Sequence, residues 1–216
     1  MNQYRPLLQL QRGFLFQYGW LKSWWHQRPV DRDGNPLPWL TYPAIDFLAQ
    51  FDFTDAAVFE WGSGFSTLWW APRCKRIITV ESNAKWIAYI RPLLPASVEL
   101  VETSRDADAE VAALNGRFDV FVIDNHGPFR WRCAQAAAAN LTPGGFVILD
   151  NSDQCLKACA VLRDAGLTQI DFTGFAPGNA YAQTTSVFFR GGYRFKTHGA
   201  QPSRSCAQPN PVWPEC

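Results

Sequence analysis

From residue 56 to residue 190 the chain alternates short apolar runs with segments of helical spacing, and few folds accommodate that. AAVFEW (56–61), RIITVES (76–82), SVELVE (97–102), RFDVFVID (117–124) and FVILD (146–150) have the length and composition of buried strands. STLWWA (66–71), AKWIAYIRPLL (84–94), DADAEVAAL (106–114) and FRWRCAQAAAANL (129–141) separate them as helices, the second weakened at Pro92. SDQCLKACAVLRDAG (152–166) predicts a helix capped by Ser152 and ended by Gly166. LTQIDF (167–172) and TTSVFFR (184–190) follow as strands with no helix between them. Parallel neighbours need crossover helices, so the pattern predicts an α/β fold with a doubly wound, mostly parallel sheet and helices on both faces. The last pair adds an antiparallel strand at or near an edge.

The flanks differ in character. Residues 1–43 form an N-terminal extension, with one or two helices in 1–30 and a turn-rich loop, VDRDGNPLPWLTYP (30–43). The domain proper covers 44–192 and opens with a helical stretch at 44–51. Residues 193–216, rich in Pro and Ser, predict an irregular tail. The aromatic segment 13–25 reads as a helix packed on its own domain; it could also make a homodimer face or touch a membrane surface, though its basic face is thin.

Composition removes several classes of function. Net charge is +1 with no block of like charges, so no nucleic-acid backbone binder is expected. No apolar run is long enough for stable membrane insertion, and the first residues lack a secretory pattern, which predicts a cytoplasmic protein. The six cysteines form no zinc-binding spacing. Cys155 and Cys159, one helical turn apart, read as small buried thiols; Cys206 and Cys216 could pair only in an oxidising setting.

The loop after the first strand, in VFEWGSGFSTLWW (58–70), carries the chemistry. In an open parallel sheet, ligands bind beyond the carboxyl ends of the strands, near the switch in strand order. Gly62 and Gly64 let backbone approach a ligand, and the next helix offers unpaired N–H groups. A dinucleotide loop wants a third glycine where Thr67 stands, and Glu60 is a poor neighbour for a pyrophosphate. A carboxylate there suits a cationic ligand such as S-adenosylmethionine. Glu81, followed by Ser82, ends the next strand at the distance expected of an acid that accepts from both ribose hydroxyls; a solvated strand-end charge is the alternative.

E-W-G-S-G (60–64), V-E-S (80–82), D-V-F-V-I-D (119–124) and T-P-G-G-F-V-I-L-D-N (142–151) together resemble the successive motifs of class I S-adenosylmethionine-dependent methyltransferases. The resemblance spans roughly residues 40–190. It implies a Rossmann-like, seven-stranded sheet with the last strand antiparallel. It also implies that Glu60, Gly62, Ser63, Gly64 and Thr67 surround the methionine end and that Glu81 and Ser82 meet the ribose. Asp106 would lie near adenine, with a plain helix-start acid as the competing role, and Asp124 near the cofactor.

Methyl transfer from a sulfonium requires alignment of nucleophile, methyl and sulfur, and often removal of a proton. His126 is the expected general base beside Asp124. Asp124, Asp150 and Asn151 resemble the Mg2+ triad of catechol-type O-methyltransferases, which implies Mg2+ or another divalent cation. Gly127 stands where that family usually carries Lys. The alternative has Asp124 orienting the cofactor and Asp150-Asn151 capping the following helix. Arg130 and Arg132 could grip an anion or be surface charge, and Trp39, Thr41 and Tyr42 could fold over the cofactor.

The expected activity is S-adenosylmethionine-dependent O-methylation of a small-molecule or sugar acceptor. Metal-independent N-methylation and a catalytically silent, cofactor-binding interaction domain are the alternatives.

Overall fold

Alternate residues along the interior strands enter two different cores, which is why those strands read as unbroken apolar runs. In β1 (Ala57–Trp61), Val58 joins one buried cluster while Phe59 and Trp61 join the other. β4 (Phe118–Ile123) divides Val120 and Val122 from Phe121 and Ile123 in the same way. β5 (Leu141–Leu149) divides Phe146 and Ile148 from Val147 and Leu149. A strand covered on both faces has no reason to alternate with polar residues. The remaining strands are β2 (Arg76–Glu81), β3 (Val98–Glu102), β6 (Thr168–Phe175) and β7 (Ala182–Phe189). The computed structural model, which describes residues 5–198 and 205–207, joins all seven in one sheet of order β3-β2-β1-β4-β5-β7-β6. β1 to β5 pair in parallel and β7 runs antiparallel to both β5 and β6, as the alternation predicts. The order reverses between β1 and β4, and this places the switch point beside the glycine loop.

The helices are α1 (Arg5–Leu10), α2 (Trp20–His26), α3 (Tyr42–Leu48), α4 (Phe65–Trp70), α5 (Ala84–Ile90), α6 (Ala107–Ala112), α7 (Arg130–Asn140) and α8 (Leu156–Asp164). α5 stops at Ile90 and tightens into a 3-10 turn over Arg91–Leu93, as Pro92 requires. Two expectations change. Ser152 does not cap a helix: α8 begins at Leu156. The Ser152 N–H donates to Thr184 O (2.9 Å) and its hydroxyl accepts from Ser186 Oγ (2.6 Å), so the turn after β5 is tied to β7 instead. The strand predicted at 146 already begins at Leu141, with a register shift opposite it between Phe118 and Val120. Gly145 makes this close pass feasible, because a Cβ there would lie 2.4 Å from Asp119 O.

The N-terminal extension is less regular than one helix. A single π-type turn spans Gln11–Leu15, and Gly19, at φ +73°, breaks the path before α2. Phe14, Tyr18 and Trp20 pack against the first core, while Phe16, Trp24 and Trp25 stay exposed. Beyond β7 the chain still contributes to the fold: Phe195 is buried against Phe53 and Phe146, and Thr197 bridges to Phe51. Among the described residues no helix is long and apolar enough to cross a membrane. Cys206 is a free, exposed thiol, and its suggested partner Cys216 lies outside the described residues.

Candidate functional site

β1 ends at Trp61, and the next residue turns the chain sharply: Gly62 adopts φ +100°. Its N–H still continues the ladder to Val80 O (2.8 Å), while its α-carbon lies against the end of β4. A Cβ at Gly62 would sit 2.5 Å from Asp124 O and 3.1 Å from Asn125 N. The glycine therefore brings the loop after β1 and the loop after β4 into contact, and no other residue fits this backbone.

Beneath the loop lies Glu60, wholly buried. Its Oε2 accepts from the hydroxyls of Thr67 and Thr79, the latter at 2.8 Å, and Thr67 Oγ1 in turn accepts from the Gly64 N–H (2.9 Å). Glu60 Oε1 has no hydrogen-bond partner. Burial raises the pKa of this carboxyl to about 7, against the nearby hydroxyls of Ser66, Thr67 and Thr79, which favour the anion. Glu60 and Thr67 thus brace the loop from below. Neither lines the cavity above it.

That cavity, about 190 Å³, is lined by Gly62, Ser63, Gly64, Phe65 and Ser66 from the loop and α4, by Glu81, Trp86 and Asp124, and by Trp39 from the N-terminal extension. Glu81 Oε1 accepts from the N–H groups of Ser82 and Asn83, both at 2.8 Å, and this fixes the carboxylate at the end of β2. Burial raises its pKa, opposed by those same N–H groups. Ser82 supplies backbone to this turn and no side chain to the cavity. Trp86, which sequence reasoning treated only as part of a helix, donates Nε1–H to Ser63 O (2.5 Å) and walls the loop. Asp106 is a helix cap, its Oδ1 accepting from Asp108 N and Ala109 N at 3.0 Å, and it does not line the cavity; of its two expected roles, the helix-start acid is the one built.

A second cavity, about 270 Å³, shares Trp39 and Asp124 with the first and adds Asp150, Asn151, Asn179, Tyr181 and Gln183. The last three come from the loop between β6 and β7 and the start of β7. Sequence reasoning missed them, though a signal existed. An antiparallel strand begins at the sheet edge where the parallel strands end, so the loop before β7 has to reach the site.

Asp150 is held from β7: Thr185 Oγ1 donates to its Oδ1 (2.7 Å) and Gln183 Nε2 to its Oδ2 (3.4 Å). Thr185 Oγ1 also accepts from Thr41 N (3.0 Å), and Thr41 Oγ1 donates to Phe172 O (2.8 Å). Thr41 therefore pins the segment carrying Trp39 to the sheet, while Tyr42 is buried in the core away from both cavities. Burial pushes the Asp150 carboxyl to about 7, with the Asp124 charge adding to the shift.

The other expected site residues are placed differently. His126 is exposed, lines neither cavity, stacks edge-on against Phe129 and shares its Nδ1 with Arg105 (2.8 Å), so the structure does not bring it to the acceptor side. Arg132 pairs with Asp108 at the surface. Arg130 is buried and four of its five N–H donors have partners here: Nε donates to Asn125 O (2.8 Å), Nη1 to Asp150 O and Asn151 Oδ1 (3.3 Å), and Nη2 to Asp124 Oδ1 (2.8 Å). Asp150-Asn151 caps no helix, and Asn151 sits in the left-handed region at φ +46°.

The three residues that resemble a cation triad all border the second cavity, but each already has a hydrogen-bond partner elsewhere. Asp124 and Asn151 point at a guanidinium, and the Asp150 carboxylate is turned toward Thr185 and Gln183. Among the described residues no group of three or more His, Cys, Asp or Glu side chains could hold a metal ion. The donor set does not fit a divalent cation.

No family model and no curated protein matches the sequence. Solved structures match the fold. A precorrin-6y C5,15-methyltransferase from Geobacter metallireducens GS-15 superposes with a TM-score of 0.56 at 18% identity, over 69% of this chain and 87% of that one. The O-methyltransferase TomG from Streptomyces achromogenes, solved with S-adenosylmethionine, gives 0.52 at 17% identity over 68% and 77%. A methyltransferase from Pyrococcus furiosus gives 0.51 at 16% identity over 87% and 99%. The chain has the Rossmann-like fold of class I methyltransferases, with β7 antiparallel at its expected place.

Proposed function

We propose that the chain is an S-adenosylmethionine-dependent methyltransferase acting on a hydroxyl of a neutral small molecule or sugar. The observation that carries this reading is the pair of adjoining cavities. One is bounded by the glycine loop and Glu81, the other by carboxylates, amides and aromatic rings, and Asp124 and Trp39 belong to both. Glu81, at the end of β2, would hold the ribose hydroxyls. Gly62 to Ser66 would hold the methionine end. When bound, the cofactor would supply an electrophilic methyl; the protein's part is to hold the acceptor in line with it. Asn179, Gln183 and Asn151 offer donors and acceptors suited to hydroxyls, and Trp39 and Tyr181 offer flat apolar faces to a sugar ring.

Among the residues lining the second cavity there is no Lys or Arg, and Arg130 is buried behind it with bonds to Asp124, Asn125, Asp150 and Asn151. Anionic acceptors are therefore disfavoured. The two carboxylates favour a second reading in which the acceptor is an amine, which would make the reaction N-methylation.

Calorimetry with S-adenosylhomocysteine should show stoichiometric binding, weakened at least about tenfold by Glu81→Ala, the scale of losing hydrogen bonds to a charged group. A screen with labelled methyl donor against hydroxyl and amine acceptors then separates the two readings. No binding of the homocysteine product, or tight NADH binding in its place, removes both.

A further inference from the structure

We infer that Arg130, buried behind the acceptor cavity, is the cation that this cluster is built around, its guanidinium taking Asp124 Oδ1, the main-chain oxygen of Asp150 and Asn151 Oδ1 in place of a divalent ion. The placement follows from the chain itself. The 3-10 turn at Gly127–Phe129 folds the segment after β4 back on itself, so that α7 starts with Arg130 directly beneath the ends of β4 and β5. From there the planar fork reaches oxygens in both loops: Asn125 O and Asp124 Oδ1 after β4, Asp150 O and Asn151 Oδ1 after β5.

A small divalent ion needs several oxygens converging on one point at short range. Here the oxygens instead spread along the edge of a guanidinium, the geometry such a fork matches. The second carboxylate, Asp150, accepts one hydrogen bond on each oxygen, from Thr185 and Gln183, and gives none of its carboxylate oxygens to the guanidinium. A metal held by Asp124 and Asn151 would lie against this buried positive charge.

Arg130 acts as a positioning residue. It fixes one oxygen of Asp124, the only carboxylate that lines both cavities, and it holds Asn151 in its left-handed turn. Lysine at 130 would keep the charge and lose the fork, leaving most of these acceptors without a donor.

The test is a Mn2+ titration of the full chain followed by the electron paramagnetic resonance of the free ion, with product affinity measured in parallel. The parent should bind no Mn2+ below the millimolar range. Arg130→Ser, which frees Asp124 and Asn151, should bind Mn2+ at least about tenfold more tightly than the parent. Arg130→Lys should bind no Mn2+ and should lose about tenfold or more in S-adenosylhomocysteine affinity, the scale of removing a residue that orients a binding group. Stoichiometric Mn2+ binding by the parent that disappears in Asp124→Asn would overturn the inference. So would a folded Arg130→Ser with no gain. If Arg130→Ser does not fold, the parent and Arg130→Lys titrations still decide: unchanged product affinity in Arg130→Lys refutes the positioning role. The Mn2+ results do not depend on methyl transfer, so failure of the parent to bind S-adenosylhomocysteine would strike the proposed function and leave the assignment of the cation standing.

Discussion

Gly62→Ala tests whether the contact between the two strand-end loops is as tight as the structure makes it. The substitution meets two separate penalties. The backbone at φ +100° is one that L side chains rarely adopt, which costs about 1–3 kcal/mol. The added Cβ would also lie 2.5 Å from Asp124 O and 2.7 Å from Asp124 C, and relieving such overpacking costs about 1–3 kcal/mol more. The clash has little room to relax. Gly62 N is bonded to Val80 O and Asp124 N to Trp61 O, both at 2.8 Å, so each side is fixed in the ladder. A total near 4 kcal/mol, at about 2–4 °C per kcal/mol for a chain of this size, predicts a melting temperature lower by about 8–16 °C. Thermal unfolding followed by circular dichroism measures it, with Gly127→Ala as the control. A Cβ at Gly127 meets nothing within 4 Å, and its melting temperature should stay within about 2 °C of the parent. If Gly62→Ala also melts within about 2 °C of the parent, the argument that this loop is wedged against the end of β4 is wrong.

Two further outcomes follow from the groups beneath the site. The Glu60 carboxyl has a folded pKa of about 7, above its ordinary 4.5, so the folded state holds a proton that the unfolded chain has already lost. Its contribution to stability therefore falls as pH rises from about 4.5 to about 7 and is flat beyond, by an amount on the order of 3 kcal/mol. Glu60→Gln, which can keep an oxygen toward Thr67 and Thr79, should abolish that slope and be relatively more stable at pH 8 than at pH 5; urea unfolding at both pH values checks this, and an unchanged slope would refute it. Thr185→Val leaves Asp150 Oδ1 and the Thr41 N–H without their partner in a buried place, which predicts a loss of about 2–4 kcal/mol in urea unfolding. A loss below about 0.5 kcal/mol would mean that the Trp39 segment is not anchored through this hydroxyl.

The strand and helix order was legible because it follows from periodicity alone. Each interior strand is apolar on both faces, each crossover is helical, and the missing helix between β6 and β7 announces the antiparallel strand. The boundaries that moved lie where local pattern competes with long-range pairing. Thr142 to Gly145 look like a loop, yet Gly145 lets the backbone pass against Asp119 and the strand starts early. Ser152 looks like a helix cap, yet β7, far away in sequence, claims it.

The candidate site shows the same division more sharply among its acids. Glu60, Glu81, Asp124 and Asp150 are all picked out by one rule, that a polar residue at or near the carboxyl end of an apolar strand stands close to the ligand edge. The rule locates the edge and is silent on which way each side chain turns. Glu60 ends no strand: Trp61 follows it in β1, and two hydroxyls below the sheet edge draw its carboxylate inward. Glu81 is the last residue of β2 and, with two N–H groups on one oxygen, stays at the rim. Asp150 is turned aside by Thr185, whose strand's pairing with β5 could not be foreseen from the hairpin sequence alone. Asp124 is held by Arg130, a residue whose spacing from Asp124 resembles plain helix-surface charge. The position of an acid along a strand thus finds the site, and the hydroxyl or guanidinium that three-dimensional pairing sets beside it decides whether that acid braces the loop, faces the ligand or occupies the place of a metal ligand.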